Sequence, residues 1–136
     1  MKRKDGWDLR LEEVFARYRA EPFDWSRHNC VTFASEAVLA LTEDRQLSLP
    51  VDAFPASAQE AARTLVSLGG LEAAVTSVLG AAVGDWRRCR RGDLALIESQ
   101  ARPILAVCSG RTLCAPGVEG LMHVRLRSAL KVWLVG

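Results

Sequence analysis

Arg91-Gly92-Asp93-Leu94-Ala95-Leu96-Ile97 is the stretch at which the periodicity of this chain changes. A polar turn runs into four consecutive apolar residues, too few for a helix and of the kind a fully buried strand makes. Working downstream, residues 104–108, 111–115, 121–126 and 131–135 are short, β-rich runs, each set apart by Gly, Pro or polar turn residues. Working upstream, apolar residues recur instead at helical spacing. Helices first and strands after them is the pattern of the α+β class, and it predicts N-terminal helices packed on a small C-terminal antiparallel sheet.

Three upstream segments and one further run carry the helical pattern. In residues 7–18, Leu9, Leu11, Val14, Phe15 and Tyr18 share a broad face, with Glu12, Glu13, Arg17 and Arg19 mostly off it, and Pro22 closes the segment. In residues 30–41, Cys30, Phe33, Ala34, Ala37, Val38 and Leu41 line one face, and Asn29 stands before them as an N-cap. Residues 42–55 are polar and broken by Pro50 and Pro55. Ser57 can cap a helix through Leu68, with Glu60 at the capping-box position and Gly69-Gly70 as its end. Residues 71–79 make a short helix that Gly80 stops.

The bulk numbers fit one domain over residues 1–136. A chain of 136 residues, 49% hydrophobic and 25% charged, has the composition of an ordinary globular protein and buries enough surface to need no staples. A formal net charge of +2 gives no ground for a nucleic-acid partner. Residues 1–5 are basic without an apolar run behind them, so no signal peptide is expected, and no stretch has the length of a membrane span. The four cysteines, Cys30, Cys89, Cys108 and Cys114, form no CxxC pair; free thiols are expected, with no zinc or other metal site and no cofactor.

Cys30 is the residue with the most chemical promise. A thiol in the first turn of a helix faces the positive end of the macrodipole and unpaired backbone N–H groups, which favour the nucleophilic thiolate. It also opens the apolar stripe of its helix, which is the role of a buried, inert cysteine. A nucleophile needs a base. His28 stands only two residues away, too near along the chain for a productive approach, while His123 sits in a late strand and either reaches Cys30 through space or faces solvent. Arg87, Arg88, Arg90 and Arg91 surround Cys89 beside Trp86, reading as an acid-binding patch or as a solvated loop. Trp25, Trp86 and Trp133 read as core or interface anchors.

The order of these pieces carries a resemblance. Trp25-Ser26-Arg27-His28-Asn29-Cys30-Val31-Thr32-Phe33-Ala34 is a loop with an aromatic residue leading to a helix that opens with Cys; two helices with a Gly-Gly break follow, then Arg91-Gly92-Asp93-Leu94, a second strand ending in Ser109-Gly110, Gly120-Leu121, and a closing strand with Trp133. From Pro22 onward this resembles the NlpC-type cell-wall peptidases of papain-like fold. More closely, it resembles a small NlpC-like family encoded among phage and prophage tail genes. Residues 1–21 would then be an N-terminal helical extension.

In active relatives the Cys attacks an amide carbonyl, a His in the second strand is the base, and a polar residue in the third strand orients that His. Here the resemblance places the His at about Ile104, after Pro103, and the orienting residue near Cys114. Two expectations follow. The first is a structural component of a phage tail tip or baseplate with a degenerate site, made in the bacterial cytoplasm, assembled into the virion and partnered by other tail proteins. The alternative is an active cysteine peptidase or amidase that cuts peptidoglycan stem peptides, with Cys30 as nucleophile, His123 as base, and Asn29, Trp25 and helix amides positioning the oxyanion. A third reading rests on Asn29-Cys30-x-x-Phe33, a string found in circularly permuted papain-like acyltransferases; there the His strand precedes the Cys, and here the strands follow it.

Overall fold

The structure, a computed structural model, describes residues 1–24, 29–47, 49, 70–99 and 102–136. Among the described residues, three α-helices, α1 (Trp7–Ala20), α2 (Cys30–Thr42) and α3 (Leu71–Leu79), precede five strands: β1 (Leu94–Ser99), β2 (Arg102–Cys108), β3 (Thr112–Gly117), β4 (Gly120–Arg125) and β5 (Lys131–Trp133). Every pairing is antiparallel, in the order β4-β3-β2-β1-β5. The α+β segregation is therefore the observed architecture. The helix expected between Ser57 and Leu68 falls outside the described residues, as do Trp25 and His28.

The unbroken apolar runs of β1 and β2 have a physical cause: both faces of the sheet are buried. On one side Leu94, Leu96, Leu105, Val107, Cys114 and Trp133 join the core of α1 and α2. On the other, Ala95, Ile97, Ala106, Cys108, Leu113 and Ala115 form a second cluster, closed over by Cys89, Met122, Val124 and Leu126. Alternation along the buried stretches of β1, β2 and β3 thus divides residues between two cores, whereas on β4 His123 and Arg125 are exposed.

The first helix contributes Leu11, Val14, Phe15 and Tyr18 to the core. Leu9, expected on that face, is 71% exposed. It leads Leu11 by two positions, about 200° around the helix, and so projects away from the buried stripe. The end of α1 lies on the β3–β4 hairpin so closely that a Cβ on Gly120, at φ +114°, would stand 2.6 Å from the Arg19 carbonyl oxygen. Strand ends also shift from expectation. β4 stops at Arg125, and Leu126 begins a 3-10 turn, Leu126–Ser128; β5 pairs only through Trp133.

Asp93, fully buried, ties the turn before β1 to both chain ends. Its Oδ2 accepts the Arg90 amide (2.9 Å), and its Oδ1 accepts the Val135 amide (2.8 Å) and Arg3 Nη2 (3.1 Å). Gly92 beside it has φ +93°, and a Cβ there would meet the Leu41 side chain at 2.9 Å, so this turn needs glycine for both conformation and close approach. The end of α2 therefore seats on the entry to β1, which aligns the Cys30 helix with the sheet. No helix among the described residues is long and apolar enough to cross a membrane.

Candidate functional site

Cys30 opens α2 behind a complete capping box. Asn29, 2% exposed, accepts the Val31 and Thr32 amides on Oδ1 at 2.9 Å each, and Thr32 Oγ1 accepts the Asn29 amide at 3.0 Å. Two amides of the first turn are thus taken up by the Asn29 side chain, and the Phe33 amide donates to the Asn29 carbonyl at 3.1 Å. Cys30 itself is half-buried and packs against the helix-side core. Asn29→Ala removes the cap, and the expected outcome is a loss of about 1–2 kcal/mol of stability, read as a lowered urea midpoint.

α2 lies against the sheet with β2 beneath it. The alternation that sends Leu105 and Val107 to the helix side places Pro103 on that same side and sends Ile104 to the other, where it packs with the second cluster. The helix side of β2 is therefore aliphatic along Pro103, Leu105 and Val107.

His123 lies on β4, an edge strand, and is exposed. Its Nδ1 stands 2.8 Å from Thr112 Oγ1 and 3.2 Å from Cys114 Sγ. Thr112 Oγ1 in turn lies 3.0 Å from Ser109 Oγ. Among the described residues these are the side-chain hydrogen-bond partners of His123; Cys30 is not one of them. Cys114 is the residue directly across the ladder from His123, which puts His123 on the helix side of the sheet. Burial pushes the Cys114 thiol up, against weaker help to its anion from Thr112 and Ser109. A thiol so disfavoured as an anion keeps its proton beside the imidazole and forms no thiolate–imidazolium pair. The signal for this contact was in the hairpin count: Cys114 is three residues before Gly117 and His123 three after Gly120, and Gly117 pairs with Gly120.

The arginine cluster around Cys89 divides. Arg90 donates to the Gly136 carbonyl (2.7 Å) and faces Asp93. Arg91 donates to the Ser109 carbonyl (2.6 Å) and Glu12 (2.8 Å), with its guanidinium 5.1 Å from the Phe15 ring centroid. Glu12 also accepts Arg19 (2.9 Å), and these two arginines hold its carboxyl below the usual carboxylate range. Arg87 stacks over Trp86 and meets Asp85. Arg90 and Arg91 are thus structural ties, which leaves Arg87 and Arg88 as the outward-facing cations of the run. Trp133 is buried, with Nε1 donating to Thr76 Oγ1 at 3.3 Å. The groove between α1 and α2 is edged by charges that pair with one another, Arg17 with Glu36 and Arg10 with Glu43.

No curated protein matches the chain. A family model described as a domain of unknown function, DUF6950, matches residues 2–135, so the match takes in α1 together with the Cys30 helix and the whole sheet. On that near-complete coverage, the chain belongs to the DUF6950 family.

Proposed function

We propose that this chain is a structural component of a phage or prophage tail tip or baseplate, built on an NlpC-like domain whose peptidase site has lapsed. The observation that carries the reading is the side of β2 turned toward α2. Active relatives keep a proton acceptor on that strand; here Pro103, Leu105 and Val107 occupy it, and Leu105 and Val107 are fully buried. General-base catalysis contributes about 10²–10⁴-fold to such reactions, so a nucleophile without it is slow. The remaining described histidine, His123, has its Nδ1 engaged by Thr112 and Cys114. The tail assignment itself is supported by the resemblance in motif order from Pro22 to the C-terminus.

Two measurements test the reading. Purified chain incubated with peptidoglycan is expected to release no new amines above the Cys30→Ser control, and His123→Ala is expected to change nothing. In particles purified from a producing lysogen, peptide mass spectrometry is expected to find the chain, and deleting its gene is expected to stop tail maturation. Hydrolysis that Cys30→Ser abolishes establishes the active peptidase reading instead, and absence from particles removes the structural role.

A further inference from the structure

We propose that this chain pairs with a second copy of itself, β4 against β4 and antiparallel, so that two five-stranded sheets join into one continuous sheet about a twofold axis. The open edge carries the inference. β5, at one end of the strand order, is closed: the Val83 amide donates to the Val132 carbonyl (2.8 Å) and the Val132 amide to the Val83 carbonyl (2.9 Å). β4, at the other end, has no strand beside it among the described residues. It also lacks the common guards of an edge. Its six residues hold no proline, and its register with β3 runs unbroken from Thr112↔Arg125 to Gly117↔Gly120, so no bulge turns it aside. Arg125, its charged residue, stands at the end of the strand and not at its centre.

Pro116 fixes which backbone groups face outward. In an antiparallel ladder, opposed residues alternate between pairs that exchange N–H···O bonds and pairs that do not. Pro116 has no N–H and stands opposite Leu121, so that pair is of the second kind. By alternation Cys114–His123 and Thr112–Arg125 are of the second kind too, and Ala115–Met122 and Leu113–Val124 carry the ladder bonds. The 3.2 Å approach of Cys114 Sγ to His123 Nδ1 agrees, because side chains stand closest in pairs that exchange no bonds. Cys108 agrees as well: it stands opposite Leu113 but bonds to Gly92 and Asp93, which leaves the Leu113 groups for β4. Leu121, His123 and Arg125 therefore turn N–H and C=O to the open edge, and no main-chain hydrogen bond from another described element takes them up.

What fits that edge is the same edge again. Laid antiparallel with His123 opposite its own counterpart, Leu121 faces Arg125 of the second copy, and all three residues exchange both bonds. The side chains suit that register. Met122 of one copy meets Val124 of the other on the face away from the helices, where both are half-buried against the second cluster, and each gains apolar cover. The charges suit it too. β4 begins beside Glu119 and ends with Arg125 and then Arg127, all three exposed. An antiparallel copy brings each Glu119 to the arginines of the other chain, twice by symmetry, whereas a parallel copy sets Arg125 beside Arg125. The order of charges along the strand thus selects a second copy and its direction. An acidic strand from another protein would satisfy the arginines but leave Glu119 facing like charge.

Sedimentation velocity of the full chain over a concentration series, at low and at high salt, tests the proposal. The expected result is a monomer–dimer equilibrium that salt weakens. Glu119→Arg and Arg127→Glu are each expected to weaken the dimer about tenfold, because symmetry counts every contact twice, and the double variant Glu119→Arg/Arg127→Glu is expected to restore it. Amide exchange followed residue by residue locates the contact: Leu121, His123 and Arg125 are expected to become protected as concentration rises, while Met122 and Val124 are protected throughout. His123→Pro removes one outward N–H and no bond of the ladder to β3, and it is expected to abolish the dimer. If that variant fails to fold, the charge variants and the exchange pattern decide. A chain that stays monomeric at every concentration overturns the proposal and leaves the edge to a strand of another protein. A dimer in which those three amides exchange freely overturns it as well, since the contact then lies elsewhere.

Discussion

Replacing Asp93 by alanine is expected to cost about 3–5 kcal/mol, the scale of leaving a buried charge network without one partner. The carboxylate is fully buried and accepts from Arg3, from the Arg90 amide and from the Val135 amide, so one substitution strands three donors. Arg3 is itself committed: it donates to the Val135 carbonyl (2.7 Å) and the Arg91 carbonyl (2.8 Å), and its guanidinium lies 4.4 Å from the centroid of the Trp7 ring. With Asp93 gone, that cation keeps its burial and loses its counter-charge. Because single domains rest on only about 5–15 kcal/mol, the variant is expected to lose much of its folded population on mild warming. Urea unfolding checks it: the midpoint falls while the slope is unchanged. Asp93→Asn, which keeps an acceptor and drops the charge, is expected to fall between the two. Asp85→Ala, an exposed carboxylate that accepts the Arg87 amide and meets its guanidinium, is expected to cost no more than about 1 kcal/mol. A full-sized loss at Asp85, or none at Asp93, sinks the argument.

Phe33→Ala is the second large effect, at about 3–5 kcal/mol for an aromatic side chain removed from a packed core. Phe33 is fully buried on α2 and meets two rings of α1, Tyr18 at 4.8 Å and Phe15 at 5.9 Å between centroids, both tilted at 52°. Removing it leaves a cavity at the seam that fixes how the Cys30 helix lies beside α1, and rings already in place can fill it only by leaving their own rotamers. Amide exchange in α1 is expected to accelerate along with the fall in urea midpoint, because α1 is fastened chiefly through that seam. Leu9→Ala is the contrast: Leu9 is equally apolar but 71% exposed, and its removal is expected to change stability by less than about 0.5 kcal/mol.

Leu9 and Phe33 show how far a one-dimensional pattern reaches. Both are large apolar residues near the buried faces of helices, and the spacing placed both inward. For α2 the stripe is sharp and its start is marked by Asn29, whose short amide side chain can do little else beside a helix than cap it, so the first residue of the helix was legible to the position. For α1 the apolar arc is wide, and only the docked partner, α2 on one side and the β3–β4 hairpin on the other, decides which edge of the arc is covered. Strand existence was legible from runs between turn residues. Strand ends were not, because whether Leu126 continues β4 or turns depends on pairing partners outside the segment.

The candidate chemistry divides along the same line. Cys30 at a capped helix start, the glycine turn before β1 and the strands after it are local consequences of side-chain type: caps, φ > 0 and β-branched or apolar runs act over a few residues. That much the amino-acid order determined alone. Which thiol meets which partner was settled only by the tertiary structure. His123 goes to Cys114 because the hairpin register sets them opposite each other, the turn anchored by Asp93 is fastened to the end of β2 by the Gly92 and Cys108 amides, and the helix side of β2 is aliphatic because alternation is counted against a core that exists only once α2 has docked. Contacts between residues distant in the chain depend on register and docking, which are properties of the assembled sheet and its two buried faces and of no single stretch of sequence.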